Sequence, residues 1–588
     1  MKIIVKYNND HKELNASKNI SLLELLRENN LYITAPCGGR GLCGKCRIKV
    51  LKGNLQISLK DELFFSIDEL NKGYRLACSA FPTEDLVIIM ESYEDTFEVL
   101  TSYEERNELA DCGIELHEIC IEDINWLEIK SIQEALDSTL ETPLKLTNKS
   151  LKGLSKAFNE RIKTFGYSKI ILKLLIEKDR IVDVFFNEPF EIYGIAIDIG
   201  TTTIGYNLVD MKSGRILGGY SSLNSQRTFG ADVISRILAA SNGNLDKLNQ
   251  LIISDILTGI EKLLSKHTID VRFIYKISIA GNTTMQHLLL GLSPESLGQY
   301  PFTSTSLALL KFSFQEIFKS SILDCEVVLL PGMDAYVGAD IVAGILYNDL
   351  FCSKKVNMLI DIGTNGEIVI GNMDAILATA TAAGPALEGG NISCGVGSVS
   401  GAITSVKYIN GLLDYDVLGD QAPIGICGSG IIDIIAEGLN NGWIDETGRL
   451  SQDFTDASIK ICDASSGEIK LTQKDIREVQ LAKSALSSGI ECLIHAYGIT
   501  FNEIDKVYLA GGFGSGLSVK NAVKIGLIPR ALIDKIKISG NTSLGGAVKF
   551  LLDQTSKSSM DRILKISKTI NLSANSNFNN LFIDNMYF

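Results

Sequence analysis

The sequence predicts a multidomain protein of mixed α/β and α+β class, and three observations carry that expectation. The chain has 588 residues, too many for one hydrophobic core, which points to three or four domains. Its first part sets short strand-like runs and one helical stretch around four cysteines in a single pattern. Further on, one strand–turn–strand signature occurs twice, with its aspartates, Asp198 and Asp361, 163 positions apart.

The composition narrows the class of partner. Hydrophobic residues at 45% and charged residues at 21% are ordinary for a folded globular chain. A formal charge of −14 argues against nucleic acid or an anionic membrane surface as partner. No apolar run reaches the roughly 18 residues of a bilayer span. The start, Met1 to Tyr7, reads as a strand without the apolar core of a signal peptide. These features together predict a cytoplasmic protein. Twelve cysteines in such a chain are not disulfides by default. Cys112, Cys120, Cys325, Cys352, Cys394, Cys427, Cys462 and Cys492 are scattered, and read mostly as small buried hydrophobes.

The N-terminal elements follow in order. Ile3–Tyr7 and the segment around Lys12–Leu14 read as a hairpin, and Ser21–Arg27 has helical apolar spacing behind a capping serine. Then comes Ala35-Pro-Cys37-Gly-Gly-Arg-Gly-Leu-Cys43-Gly-Lys-Cys46, the strand Arg47–Val50, and a fourth cysteine in Arg75-Leu-Ala-Cys78. Three thiolates on one short loop, closed by a distant fourth, suit two irons. Gly38, Gly39, Gly41 and Gly44 let the backbone take positive φ and turn N–H groups toward sulfur, which helps set a cluster's potential. A structural zinc fits less well, because its cysteines usually come as two close pairs and here there is one. The spacing C-x5-C-x2-C with a distant fourth cysteine resembles 2Fe–2S ferredoxins, with one residue more in the first gap than the plant-type pattern. The resemblance implies a β-grasp fold over residues 1–93 with Cys37, Cys43, Cys46 and Cys78 as the cluster ligands.

Residues 94–125 are acidic and lack a turn–strand rhythm, and read as a linker, partly helical. Residues 126–190 mix a helix near Ser131–Leu136 with strands at Ile170–Ile176 and Arg180–Phe185, a small α/β module.

The repeat opens the last region, 191–588. Tyr193–Thr203 and Asn357–Glu367 are each an apolar strand, an Asp, a Gly-Thr turn and a second strand. Turn N–H groups and hydroxyls can hold phosphate oxygens, and the two aspartates can position Mg2+ with its waters. A buried strand, Val507–Ala510, then runs into Gly511, Gly512, Phe513 and Gly514, a turn able to lie against an adenosine.

Taken in order, these elements resemble the ASKHA superfamily of sugar kinases, Hsp70 chaperones and actin, in which two ribonuclease-H-like halves clasp ATP. The resemblance implies Asp198 and Asp361 as catalytic aspartates. It implies Gly200, Thr201, Thr202 and Thr203 as the first phosphate loop, Gly363, Thr364, Asn365, Gly366 and Glu367 as the second, and Gly511–Gly514 as the adenosine loop. Asp340 or Asp334, near the start of a helical stretch Gly338–Tyr347, stands where a water-orienting carboxylate is expected, and Asp340 is the choice made here. A ferredoxin-like domain ahead of such a domain is similar to reductive activators of corrinoid proteins. That resemblance also covers Ala280–Gly291, Ala383–Gly390, Ile426–Asp433 and the C-terminal stretch from Asn577. Cys394–Gly401 departs from it, since Gly-Met-Arg usually stands there.

The resemblance implies ATP-driven transfer of one electron from a 2Fe–2S cluster to the Co(II) cobalamin of a corrinoid protein, restoring Co(I). It further implies ATP and Mg2+ as cofactors, a low-potential electron donor, no nucleic-acid or membrane partner, and a homodimer. The alternative is a small-molecule kinase of the same fold with an appended redox domain. Activators of radical dehydratases share the ATPase half but lack a ferredoxin domain, and a bare electron carrier would not need both phosphate-loop aspartates. His287, beside the apolar run Leu288–Leu290, reads as a satisfied histidine on a packed helix.

Overall fold

The computed structural model describes the chain except residues 8–9, 18, 30, 32, 34, 36–38, 42–43, 91–110, 123–127, 141, 166–168, 187–189, 420, 455, 465–466, 512–515 and 573–574. The N-terminal domain holds β1 (Lys2–Tyr7), β2 (Asp10–Asn15), α1 (Leu22–Glu28), β3 (Arg47–Lys52), α2 (Leu59–Phe64), α3 (Ile67–Asn71), β4 (Tyr74–Leu76) and β5 (Leu86–Met90). Its sheet order is β2-β1-β5-β3-β4, with β1 and β5 parallel at the centre, the expected β-grasp. The hairpin pairs Ile3 with Leu14. Helix α1 starts at a capping box, Ser21 with Glu24, and buries Leu22, Leu23, Leu25 and Leu26 against the sheet.

The middle domain comprises β6 (Ile114–Glu122), α4 (Ile132–Thr139), β7 (Lys145–Leu146), α5 (Asn148–Phe165), β8 (Lys169–Glu177) and β9 (Arg180–Phe185), in sheet order β6-β8-β9-β7. Here the structure corrects the domain division. Strand β6, assigned above to the linker, pairs with β8 along its whole length, from Ile114 with Glu177 to Glu122 with Lys169. It lies at the sheet edge with Glu115, Leu116, His117 and Glu118 exposed, so it lacks the buried alternation that marks a strand in sequence. Residues 114–122 thus belong to this sheet rather than to a linker, and residues 94–110 lie outside the described residues.

Two halves of like topology complete the chain. The first contains β10 (Tyr193–Ile199), β11 (Thr203–Asp210), β12 (Ile216–Leu223), α6 (Val233–Ala239), α7 (Leu245–His267), β13 (Ile274–Gly281), α8 (Thr283–Leu289), β14 (Leu310–Ser313), α9 (Phe314–Phe318), β15 (Glu326–Leu329) and α10 (Ala339–Tyr347). The second contains β16 (Val356–Ile362), β17 (Gly366–Gly371), β18 (Ile376–Thr381), β19 (Ala402–Ile409), β20 (Leu412–Val417), β21 (Gly425–Ile426), α11 (Gly428–Asn440), β22 (Ser458–Ala464), β23 (Gly467–Thr472), α12 (Gln473–Tyr497), β24 (Ile504–Ala510), α13 (Val519–Lys524), β25 (Ile536–Gly540), α14 (Thr542–Leu552), α15 (Ser556–Ile566), β26 (Ser567–Thr569) and α16 (Ser576–Asp584). The sheets run β12-β11-β10-β13-β15-β14 and β25-β24-β16-β17-β18-β26. In each, an antiparallel three-strand meander is followed by two parallel strands, the ribonuclease-H-like pattern. The central strands β10 and β16 are apolar almost throughout because both faces are covered.

Helices α10 and α14 cross between the halves. A Cβ on Gly546 would stand 2.1 Å from the Ala343 carbonyl, and one on Gly344 2.8 Å from Thr542 Oγ1. Ser278 Oγ donates to Ala547 O at 2.7 Å, tying α14 to the first half's sheet. At the C-terminus, α16 lies along α12, where Gln480 donates to Met586 O at 2.7 Å and Lys483 donates to Tyr587 O. No helix among the described residues is long and apolar enough to cross a membrane.

The middle domain is held to the first half by buried charge. Lys276 and Arg180 both donate to the Glu177 carboxylate, Arg180 also pairs with Glu326 at 2.9 Å, and Tyr275 Oη donates to Asp183 Oδ2 at 2.9 Å. Burial pushes the Glu177 carboxyl up, but Lys276 and Arg180 outweigh it and hold it at about 2. Its folded value lies below the ordinary 4.5, so the stability it supplies is present above that ordinary value and is lost as pH falls toward 2. Glu177→Gln leaves Lys276 buried without its anion and is expected to cost about 3 kcal/mol at pH 7. Thermal melts of both proteins across this acid range check it, and the variant's midpoint should be the less pH-dependent.

Candidate functional site

The hairpin turn after β10 is built from behind. Asn224 Nδ2 donates to Gly200 O at 2.9 Å, the Asn224 N–H donates to Thr202 O at 3.0 Å, and Arg236 Nη2 donates to Thr201 O. A trans peptide points its N–H opposite its carbonyl, so these anchors fix where the N–H groups of Thr201, Thr202 and Thr203 point. Thr201 Oγ1 accepts from Asn282 Nδ2 at 3.1 Å. Arg236 is fully buried. Burial lowers its pKa to about 9, with Arg227 adding to the effect and Asp232 and Asp255 opposing it. It still carries its charge at neutral pH.

The second hairpin repeats the plan. Asp361 pairs across the strands with Glu367, and Gly363 N–H donates to Asn365 O at 3.0 Å to close the turn. Glu388 links the two turns. Its Oε2 accepts from Thr364 Oγ1 at 2.6 Å and from Thr202 Oγ1 at 3.3 Å. Glu388 closes the short 3-10 turn Pro385–Glu388, between Gly384 and Gly389, both at φ +79°. A Cβ on Gly389 would fall 2.3 Å from Val396 O, so the divergent stretch Cys394–Gly401 packs directly under this turn.

Asp198, Asp340, Asp361, Glu367 and Glu388 thus gather on the floor of one cleft, each partly accessible. Asp198 sits at the start of α14, where Ser543 Oγ donates at 2.6 Å and Asn541 Nδ2 at 2.9 Å; burial raises its pKa and these two donors work against it. Asp340, in the first turn of α10, is pushed up to about 7 by burial and by Asp198. Asp361 is pushed up to about 8 by burial and by Asp340, Asp198 and Glu388. Burial, then Asp340 and Asp361, drive Glu367 well above its ordinary range. Burial also raises Glu388, against its two threonine donors. Among the described residues no three of these carboxylates are arranged as a ready-made metal site; what marks the group is mutual repulsion.

The structure therefore brings together Asp198, Asp340, Asp361, both Gly-Thr turns and Gly511. Gly511, at φ +98°, lies where a Cβ would meet Ile362 O at 2.3 Å and Asp361 Oδ1 at 2.8 Å. Gly512, Phe513 and Gly514 lie outside the described residues. Asp334, the alternative to Asp340, instead accepts from Thr569 Oγ1 at 2.5 Å and is absent from the charges acting on the cleft carboxylates. Asn224, Arg236, Glu388, Asn541 and Ser543 were not picked out as site residues. Only Glu388 carried a signal, an acid flanked by glycines in Ala383–Gly390. His287 is satisfied as expected, with Nδ1 donating to Thr283 O at 2.8 Å and Nε2 accepting from the Thr305 N–H at 3.0 Å, and burial lowers its pKa.

At the N-terminal domain, Cys37 and Cys43 lie outside the described residues. Cys46 is buried at the start of β3 and Cys78 is half-buried. Ala77 N–H donates to Cys46 O at 2.8 Å, and Asp61 accepts from Leu76 N–H at 2.7 Å, so the two cysteine segments are locked side by side. Gly39, Gly41 and Gly44 take φ of +96°, +75° and +68°, and a Cβ on Gly39 would lie 3.9 Å from Cys78 Cβ. Gly39 thus lies beside the fourth cysteine, which fits a 2Fe–2S cluster at this place. Of the other eight cysteines, Cys427 and Cys492 are buried and Cys352 is exposed.

Comparison with known proteins agrees with this geometry. The model of the 2Fe-2S iron-sulfur cluster binding domain matches residues 5–83. The RACo middle region matches 193–353, the first half described above, and the C-terminal domain of RACo, the ASKHA domain, matches 355–588. The corrinoid activation enzyme RamQ of Eubacterium limosum is 30% identical over 605 aligned positions, covering 98% of each chain. The Co(II) methylated amine-specific corrinoid protein reductase of Methanosarcina barkeri is 26% identical, over 66% of this chain and 76% of its own. A solved reductive activator for corrinoid, iron-sulfur protein superposes with a TM-score of 0.73 at 29% identity, covering 100% of this chain and 98% of that one.

The electrostatics of the cleft make one prediction independent of any reaction. The folded-state pKa of Asp361, about 8, exceeds that of an unfolded aspartate, so the group's contribution to stability falls as pH rises toward 8. Asp361→Asn should therefore raise the thermal midpoint of the nucleotide-free protein at pH 7, by roughly 2–4 °C for each kcal/mol recovered. Calorimetry without nucleotide or divalent metal checks the sign.

Proposed function

Since the chain belongs to the RACo family of reductive activators, we propose that it restores Co(I) in a corrinoid protein by passing one electron from its 2Fe–2S cluster to Co(II) cobalamin, driven by ATP. The observation that carries this reading is the pairing, in one chain, of the cysteine loop with a cleft in which Glu388 joins two Gly-Thr turns. The partner is a corrinoid protein. A low-potential donor that recharges the cluster, a cytoplasmic setting and a homodimer complete the proposal. So does a division into a cluster domain, a connecting segment, a small middle domain and the two-half ATPase.

The residues divide the work as follows. Cys37, Cys43, Cys46 and Cys78 hold the cluster, which supplies a one-electron store. In the ATPase, the N–H groups and hydroxyls of Thr201–Thr203 and Thr364–Gly366 hold phosphate oxygens beside Gly363, and Gly200, where a Cβ would meet Thr203 O at 2.7 Å, allows the first turn. Gly511–Gly514 cover the adenosine. Asp198 and Asp361 would hold Mg2+ through its waters, since the ion keeps much of its hydration, and Glu367 would add negative charge beside it. Asp340, which burial and Asp198 raise above the ordinary carboxyl range, is the carboxylate that would accept a proton from an attacking water. Glu388, hydrogen-bonded to both threonine hydroxyls, senses whether the two loops are close together.

Uphill electron transfer explains the need for ATP. For one electron, each ~59 mV of shortfall is a factor of ten in equilibrium, or about 1.4 kcal/mol. Nucleotide binding and hydrolysis supply it by favouring one arrangement of the complex over another.

The test is anaerobic optical spectroscopy of a cob(II)alamin-loaded corrinoid protein with this protein, reductant and Mg–ATP. The Co(I) spectrum should appear only with ATP and an intact cluster. Cys43→Ala should abolish it while leaving ATP turnover. Asp340→Asn should lower ATP turnover about 10²-fold or more with nucleotide affinity kept. ATP turnover with no Co(I) from any corrinoid protein, together with phosphorylation of an added polyol, would replace this reading with the kinase alternative.

A further inference from the structure

One short piece of chain touches both the first Gly-Thr turn and the cluster domain. Residues Asn224–Gly230 follow β12 and contain a 3-10 turn, Ser225–Thr228. On one side this piece holds the phosphate loop, through Asn224 to Gly200 and Thr202. Arg236 spans the two, donating to Thr201 O with one nitrogen and to Gly230 O at 2.9 Å and Gln226 Oε1 at 3.3 Å with the others. The piece is pinned further by Asp255, which accepts from the Ser225 N–H at 2.7 Å and Oγ at 2.8 Å, and by Gln226 Nε2, which donates to Leu248 O at 2.8 Å.

On its other side it meets the N-terminal domain. Arg27, in the last turn of α1, donates through Nη2 to Thr228 O, and its guanidinium lies 4.8 Å from the centre of the Phe229 ring. Phe229 is buried in the core of the first half. The same helix backs the cysteine loop. A Cβ on Gly39 would stand 3.1 Å from Leu23 Cδ2 and 4.0 Å from Arg27 Nη1, and Leu23 N–H donates to Ala77 O, next to Cys78.

We propose that Asn224–Gly230 is the coupling element of the protein: docking of the cluster domain through Arg27 and nucleotide binding on Gly200–Thr203 stabilise each other. Arg27 is a positioning residue in this scheme. By capping the Thr228 carbonyl and covering Phe229 it restrains the piece that fixes the loop carbonyls, and so the direction of the N–H donors that a phosphate meets. A nucleotide that orders those donors restrains the same piece from the opposite side. Each event lowers the ordering left for the other, which is positive coupling without a large displacement, and it is reciprocal. The cluster domain is then held against the ATPase while nucleotide is bound and released more easily once it leaves.

The inference rests on the reading of Gly200–Thr203 as a phosphate loop, and the experiment separates the two. Calorimetric titration of the full-length, cluster-loaded protein with a non-hydrolysable Mg–ATP analogue is run on wild type, Arg27→Ala and Arg27→Lys, with cluster absorbance recorded for each. Arg27→Ala should weaken binding at least about fivefold, and Arg27→Lys, which keeps a donor and a charge, should recover part of the loss. Hydrogen exchange on wild type should show the analogue slowing amides in α1 as well as in 225–230. In Arg27→Ala the protection of 225–230 should persist and that of α1 disappear. Unchanged or tighter binding in Arg27→Ala with its cluster intact overturns the proposal. So does wild-type α1 exchange that ignores the nucleotide, a measurement that holds even if the variant loses its cluster. A wild-type protein that binds no analogue at all removes the phosphate-loop reading, and this inference with it.

Discussion

Five carboxylates on one cleft floor are the constraint from which the rest of the ATPase follows. Asp198, Asp340, Asp361, Glu367 and Glu388 cannot all ionise in a partly closed site without mutual cost, and Asp340 and Asp361 are pushed to about 7 and 8. A fold that keeps them together needs rigid supports on every side. It finds them at the ends of β10 and β16 and at the first turns of α10 and α14, where backbone N–H groups and the helix dipole favour negative charge. The close crossing of α10 on α14, made possible by Gly344 and Gly546, brings those two helix starts to one place. Stability given up in the cleft is recovered in the apolar cores of the two halves, which meet around this crossing.

The cluster domain obeys a different logic. Its sheet and α1 form a small core of their own, and what the fold must achieve is to bring a glycine-rich segment and Cys78 side by side. Buried Asp61 does much of this. It caps α2 through Ser58 and accepts from the Leu76 N–H, so one carboxylate fixes both the helix beside the loop and the approach to the fourth cysteine. Helix α1 serves the cluster loop with its Leu23 face and the ATPase with Arg27. The two modules are therefore in contact through an element whose own packing is settled by a capping box and four leucines.

How much of this could be read from sequence depends on whether the signal is local. The close triplet Cys37, Cys43 and Cys46, the leucine periodicity of α1 and each copy of the Asp–Gly–Thr turn are complete within a dozen residues, and the fold class followed from them. Strand β6 failed for a local reason as well: at the sheet edge its exposed Glu115, Leu116, His117 and Glu118 mask the alternation, and an acidic strand then resembles a linker. Asn224, Arg236, Asn541 and Ser543 failed for a long-range reason. Asn541 acts on Asp198 from 343 positions away, and nothing in the neighbourhood of either residue announces the pairing. Arg236 is harder still, because a lone arginine on a seven-residue helix reads as a surface charge, while here it is wholly buried behind the first turn.

Duplication supplied two turns that look alike in sequence, yet the structure gives them unlike surroundings. Asp198 faces a serine hydroxyl and an asparagine amide, two neutral donors that favour its ionised form. Asp361 faces Asp340, Asp198 and Glu388, three groups that oppose its ionisation. Behind the first turn stands the buried cation of Arg236; the causes acting on Asp361 and Glu367 include no cation. Environments that push like groups apart divide their roles. The first half gives its carboxylate two donors that work against the rise burial causes, and it fixes its loop from behind. The second half sets its carboxylate against like charges that oppose its ionisation. Glu388 ties the two turns together through Thr202 and Thr364, so these unlike carboxylate environments share one hydrogen-bonded bridge.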